Sequence, residues 1–503
     1  MGSREEVERL LARIAAVDPL VRAICTLNPR AREQAAALDA ERAAGRVRGP
    51  LHGLPVLVKD NFDTADMPTT AGSLALAGIE PPRWDAAVVQ RLRAAGCVIL
   101  GKTNMSEWAR MRGRAMIAGW SGYGGQTHNP YALDYSPGGS SSGSAAAVAA
   151  RLAPLAIGSE TNGSIIGPAS LDGVVGIKPT AQLVPSDGMV PLAPSQDTAG
   201  TMALTVSAAA AGLTVISGGF ADYAAICAAE GATDLSGVRI GVARAPHWEF
   251  SAGTERVNEQ ALGLLSASGA TLVDNLVLPP PPQWAEPFVV LKYQFKYYVE
   301  RYLRTRPDAP QTLDELIAAT RRTPTQYLGE EYLEAAAATV GLHPAEHWEA
   351  RETLRRFGGD SIDNLLRDHD LDALVVPVRG PAWPIDPERG DEPAPGTTSH
   401  AAFAGYPMIA VPAGLVGGLP VGIAFTGTAR SEATLVRVAH AFEVARTKAH
   451  GPFPEPQLTR VPDPSAAQVA FGGQTRAGGP ARVQTGLRAP GRPAAGSSGV
   501  ELS

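Results

Sequence analysis

The run Ser136–Thr180, SPGGSSSGSAAAVAARLAPLAIGSETNGSIIGPASLDGVVGIKPT, decides how the rest of the chain is read. It holds two loops rich in serine and glycine, with alanines and aliphatics between them. Ser140 and Ser144 lie in the first loop, Ser159 and Ser164 in the second, among Gly138, Gly139, Gly143, Gly163 and Gly167. Glycines let backbone N–H groups turn toward a bound group. Donors held that way can stabilise an oxyanion or cradle a phosphate. Plain surface loops share this composition. Against that, Ala145–Leu155 predicts a buried helix of small residues, and Val174, Val175 and Ile177 predict a short apolar strand. Both loops are then tied to the core, where chemistry tends to sit on loops.

Working outward, residues 3–45 predict two helices. Leu10, Leu11, Ile14 and Val17 give the first an apolar face at helical spacing, and residues 31–44 form the second. Pro55–Val58 predicts a buried strand with Lys59 directly behind it. A lysine there is commonly a surface residue. One enclosed by apolar walls and carbonyls has a lowered pKa and can act as a base. DAAVVQRLRAAG predicts a helix capped by Gly96, and Val98–Leu100 a second strand, followed by Lys102, a second candidate base. The glycine-rich run 118–131 either lines a site entrance or merely links. Asp197 is read as a cap or a loop bond. Residues 219–360 predict a strand, a helix, a rigid extended connector at PPPPQWAEP and several further helices. Residues 371–378 return to the core, residues 400–427 give closing strands, and EATLVRVAHAFEVA a final amphipathic helix. Residues 461–503 turn to Gly, Ala, Pro, Ser and Gln, which predicts a disordered tail.

Composition removes several classes. The 503 residues are 45% apolar and 19% charged, ordinary for a soluble globular chain. A net charge of −6 points to neither nucleic acid nor an anionic membrane as partner. Cys25, Cys97 and Cys227 form no metal or disulfide pattern and fit a cytoplasmic compartment. The N-terminus reads as a helix rather than a signal peptide, and no run approaches the roughly 20 apolar residues of a membrane span. Residues 139–143, GSSSG, fit the G-x-S-x-G elbow around Ser141, but no strand precedes them as that motif requires. The nine histidines form no ligand cluster.

The opening run resembles the signature of the amidase signature family, serine hydrolases that cleave carboxamides. It follows the family's GGSS loop, its G-[ST]-[DE]-x-G-G-S loop and its GVVG-[LI]-KPT run. The contexts of Lys59 (VLVKDN), Lys102 (GKTNMSE) and Asp197 (SQDTAG) are similar too, so the resemblance spans about residues 5–447. It implies one α/β domain over residues 1–460, with a mixed central β-sheet flanked by helices on both sides. The parts are a helical N-terminal segment at 3–45, a catalytic core at 50–215, a variable substrate-shaping middle at 219–360 and a closing segment at 371–447. It also implies a base at Lys59 and not at Lys102, which is then read as structural, a relay at Ser140 in a cis peptide, and a nucleophile at Ser164 that passes through an acyl-enzyme. The oxyanion would meet the backbone N–H groups of Thr161, Asn162, Gly163 and Ser164. No cofactor and no metal are implied.

Three positions depart from the usual pattern. Asn162 stands for Gly, Glu160 for Asp and Ile166 for Arg. The combination most resembles the bacterial peptide amidases, which remove the C-terminal amide of peptides. The expected partner is therefore a small-molecule or peptide amide. The missing arginine is expected to leave a more apolar substrate site. Two alternatives are a glutamine-hydrolysing subunit of a tRNA-dependent amidotransferase, which should keep the usual pattern, and a catalytically silent scaffold, which should have a damaged triad.

Overall fold

Short apolar runs such as PVLV at 55–58 and VVGI at 174–177 are buried on every residue, the mark of strands covered on both faces. The computed structural model describes residues 2–248, 250–323, 329–391 and 396–461. The tail reading, Val461 apart, falls outside the described residues.

The strands are β1 Ile24–Leu27, β2 Pro55–Lys59, β3 Val98–Thr103, β4 Trp120–Ser121, β5 Gly125–Gln126, β6 Leu155–Glu160, β7 Val175–Lys178, β8 Thr198–Ala203, β9 Arg239–Ala245, β10 Thr271–Val277, β11 Ala373–Pro377, β12 Met408–Val416 and β13 Leu419–Thr426. β4 and β5 form a small hairpin. The other eleven make one sheet in the order β1-β3-β2-β6-β8-β7-β12-β13-β11-β9-β10. β2 runs parallel to both β3 and β6, whereas β6, β8, β7, β12 and β13 pair antiparallel in succession. The sheet is therefore mixed.

Alternation along the strands feeds two apolar cores, one on each face. Val56 and Val58 enter the first, which is covered by the helices Ala87–Ala94, Val206–Ile216, Ala252–Ala267 and Glu432–His450. Leu57 enters the second, together with the helices Ser3–Val21, Ala31–Ala43, Ser142–Ala149 and Ile166–Leu171. A third cluster joins Trp108, Val190 and Leu192 to the helices Ala285–Leu303 and Leu313–Arg322.

One local expectation is corrected. The helix expected over 145–155 runs from Ser142 to Ala149, and Leu155 begins β6. Arg151 takes the left-handed conformation, at φ +59, and breaks the helix. Pro154 then bars its resumption, because proline has no N–H to donate to the turn behind it. The start at Ser142 places the first serine loop directly against a helix N-terminus. The connector at PPPPQWAEP also ends earlier than expected, since Ala285 already belongs to the helix Ala285–Leu303.

Candidate active site

The site forms where parallel strands end side by side. In β2 and β6, Val58 lies opposite Ile157, so Lys59 and Ser159 emerge together at the carboxyl ends of neighbouring strands. Such ends are where open α/β sheets place their ligands. Lys59 has no solvent exposure. Its Nζ donates to Ser140 Oγ at 2.8 Å, to Ser159 Oγ at 2.9 Å and to the Ser159 carbonyl at 3.2 Å. Burial lowers the ammonium pKa to about 7, against the opposing pull of the Asp197 and Glu160 carboxylates.

Ser140 follows a cis Gly139–Ser140 peptide bond and is 1% exposed. Its carbonyl accepts from the Ser106 N–H at 3.2 Å. The next residue stitches the two serine loops together. The Ser141 N–H donates to the Ser164 carbonyl at 3.1 Å, and Ser141 Oγ donates to the Ser159 carbonyl at 3.0 Å. Ser141 thus faces the protein interior, not a substrate. Ser144 bonds Thr103 Oγ1 at 2.8 Å and Ser142 bonds the Gly138 carbonyl at 2.5 Å, so most of the serines in this loop act as internal ties.

Residues 161–164 stand apart from this buried network. Asn162 is exposed, and Thr161, Gly163 and Ser164 are half-buried. The backbone N–H groups of these four residues find no acceptor among the described residues, and neither does the Ser164 hydroxyl find a partner there. The segment is held from outside. Thr161 Oγ1 donates to Asp197 Oδ1 at 2.5 Å, and Asp197 Oδ2 accepts from the N–H groups of Leu192 and Ala193 at 2.8 and 2.9 Å. Burial pushes the Asp197 carboxyl up, and these donors hold it down. Asn162 bonds Thr398 at 2.8 Å and Ser399 at 3.2 Å. Gly163 sits at φ +76, and a Cβ there would fall 2.9 Å from Thr398 Oγ1. Only glycine suits that turn.

Glu160 answers the departures seen in the sequence. Its Oε2 accepts from the N–H groups of Ile165 and Ile166 at 2.7 and 3.0 Å, fixing the turn into the helix Ile166–Leu171. Backbone donors replace the missing arginine. Ile166 itself is 0% exposed and packs in the second core. Ile166 thus adds no wall to a substrate site: as the first residue of a helix whose inner face meets the sheet, its side chain turns into the core.

The structural reading of Lys102 agrees with its environment. It pairs with Asp60 at 3.1 Å, both side chains fully buried, and donates to the Pro68 carbonyl and to Thr69. Lys178 of the KPT run is a third buried lysine, lowered to about 8 by burial. Asp197 makes the loop bonds expected of it, to Thr161, Leu192 and Ala193.

Beside the pair Lys59–Ser159 lies a cavity lined by Asn61, Ser159, Thr161 and Asp197 on its polar side. Trp108, Val190, Leu192 and Phe295 line its apolar side. No residue of 118–131 lines it; that run braces the site from behind, with Gly119 N–H on Ser106 Oγ at 3.0 Å. Sequence pattern alone assigns Ser159 no role and does not single out Asn61. Asn61 Nδ2 donates to Ser159 Oγ at 2.9 Å, so it sets the hydroxyl that meets the lysine. The signal was available in the parallel pairing of two strands, which neither strand shows alone.

Known proteins bear on this geometry. Residues 5–436 match the family model described as Amidase. The chain is 46% identical to the solved native peptide amidase of Stenotrophomonas maltophilia, covering 91% of this chain and 96% of that one at a TM-score of 0.84. It is 36% identical to a probable amidase of Arabidopsis thaliana over 88% of this chain and 87% of the other. It is also 36% identical to a glutamyl-tRNA(Gln) amidotransferase subunit of Salinispora arenicola, over 91% and 96%. Among the described residues no helix is long and apolar enough to cross a membrane. The match of family model, fold and sequence makes this chain an amide hydrolase and a member of the amidase family.

Proposed function

We propose that the chain hydrolyses the C-terminal amide of a peptide to the free acid and ammonia. The observation that carries the chemistry is the buried Lys59, lowered to about 7 and 2.8 Å from Ser140 Oγ. Neutral Lys59 takes the proton of Ser140. Ser140 takes that of Ser164, and Ser164 Oγ attacks the carbonyl carbon. This is a serine activated by a base, with no histidine involved. Catalytic hydrogen bonds commonly tighten only once substrate is bound, which suits a Ser164 hydroxyl that has no partner among the described residues. The unengaged N–H groups of Thr161, Asn162, Gly163 and Ser164 receive the oxyanion. Ammonia leaves with a proton returned through Ser140, and water then releases the acid from the acyl-enzyme by the same relay.

The peptide reading is supported by the likeness to the Stenotrophomonas enzyme and by the cavity. None of the residues lining it is cationic, and Asp197 is one of them. Free glutamine would bring an α-carboxylate with no positive partner there. A charge-assisted contact of that kind is worth roughly 1.5–3 kcal/mol, or on the order of tenfold to a hundredfold in kcat/KM. The test is a panel of amidated peptides, glutamine and aryl amides, read by ammonia release. An N-blocked dipeptide amide should exceed glutamine by at least about tenfold. Equal kcat/KM would discard the peptide reading in favour of glutamine hydrolysis within an amidotransferase.

A further inference from the structure

The helix Ala285–Leu303 carries Phe288 and Phe295 and is capped by Trp284; the three are spaced by four and seven residues and so lie on one face. Phe295 lines the cavity beside Ser159 and meets Trp108 edge to face, with ring centroids 6.0 Å apart. Phe288 belongs to the same apolar cluster and lies 4.7 Å from the ring of Tyr332. Trp284 stacks on Phe288 at 5.9 Å and is 52% exposed. An aromatic surface thus runs along this helix from solvent toward the cavity beside Ser159. Two polar groups at its inner end are unpartnered. Asn61 Oδ1 and Trp108 Nε1 have no hydrogen-bond partner among the described residues, although these residues are only 5% and 2% exposed and both line the cavity. A buried acceptor and a buried donor left open are costly unless a ligand meets them.

We infer that this surface is the binding track for the peptide chain upstream of the cleaved amide, and that it selects large apolar side chains. The inference rests on the peptide-amide reading above. Ammonia is too small to need an apolar wall, so the wall can serve only the acyl side of the substrate. Asn61 Oδ1 accepts a substrate N–H, and Trp108 Nε1 donates to a substrate carbonyl. From Phe295 to Trp284 the helix rises about 16 Å at 1.5 Å per residue. An extended peptide covers that span in about five residues at roughly 3.3 Å each. Selectivity should therefore grow over the first four or five upstream positions and then level off.

The experiment compares Ac-Leu-Leu-Leu-Ala-NH2 with Ac-Gly-Gly-Gly-Ala-NH2, which share the scissile unit. Wild type should favour the leucine peptide by about tenfold or more in kcat/KM, chiefly through KM, as expected for burying apolar side chains. Trp284→Ala removes an exposed side chain and should cut that preference several-fold with little change in kcat. Replacing the upstream N–H by an ester oxygen should cost about tenfold, since it leaves Asn61 Oδ1 unpaired. A wild-type ratio near one, or a ratio unchanged in Trp284→Ala, overturns the track. Absence of loss in the ester overturns the role of Asn61. If neither peptide amide is hydrolysed while glutamine or an aryl amide is, the peptide reading falls, and the track falls with it.

Discussion

Replacing Lys59 by methionine tests the base, because it keeps the apolar stem and removes the amine. Lys59 must be neutral to take a proton, and its folded pKa lies at about 7. Wild-type kcat/KM should therefore rise about tenfold per unit below pH 7 and level off above it. Lys59→Met should lose at least about a hundredfold in kcat at pH 8. The same lysine leaves a mark on stability. In the unfolded chain its pKa returns to about 10.4. Between those two values the unfolded state binds the extra proton, so stability rises with pH and is lowest below pH 7. From pH 6 to pH 8 the lysine's contribution should improve by about 1.4 kcal/mol, one pKa unit's worth. The methionine variant lacks this term. The stability difference between the two proteins, measured by urea unfolding at both pH values, should shift by that amount in favour of wild type at the higher pH. A flat wild-type rate profile between pH 5.5 and 8 would refute the lowered amine. So would a stability difference that does not move with pH.

Ser164→Ala should give a folded protein with no turnover, and a fluorophosphonate probe should label wild type at Ser164; label on Ser141 would point to the elbow instead. Asp197→Asn keeps one acceptor for Thr161 but removes a negative charge that favours protonated Lys59. Its kcat should fall by about tenfold, and the acid limb of the rate profile should move to lower pH; a limb that stays in place would make Asp197 purely structural. Gly163→Ala forces φ +76 on a residue with a Cβ and drives that atom against Thr398. It should destabilise by about 1–3 kcal/mol and lower kcat, and an unchanged melting temperature would contradict the turn geometry.

Much of the fold was legible because it rests on local pattern. The apolar runs of β2, β3 and β7, and the helical spacing of Leu10 and Ile14, each declare an element by themselves. What could not be read was set by partners distant in sequence. Leu155–Glu160 looks like a continuation of the alanine helix until its neighbours are known. As a strand it pairs with Pro55–Lys59 on one side and Thr198–Ala203 on the other. Arg151 in the left-handed conformation marks the break, and arginine carries no turn signal of the kind glycine does.

The site divides along the same line. Lys59, Ser140 and Ser164 were singled out by the family resemblance, and the structure places the first two in direct contact. The roles of Ser159 and Asn61 came to light only through the parallel register, because a serine at a strand end says nothing of the lysine on the next strand. Ile166 shows the opposite failure. Read as a line of letters, a lost arginine near the nucleophile suggests a changed substrate pocket. In three dimensions one oxygen of Glu160, the carboxylate it would have paired with, accepts from two backbone N–H groups, and the isoleucine fills the core. Substrate choice has to come from the walls the substrate meets. The cavity walls include Trp108, whose indole N–H has no partner among the described residues, and Phe295, on a helix that none of the sequence motifs reaches. A loop exchange confined to 160–166 should consequently disturb catalysis without transferring specificity, whereas changes along the face of Ala285–Leu303 should move specificity and leave the proton relay intact.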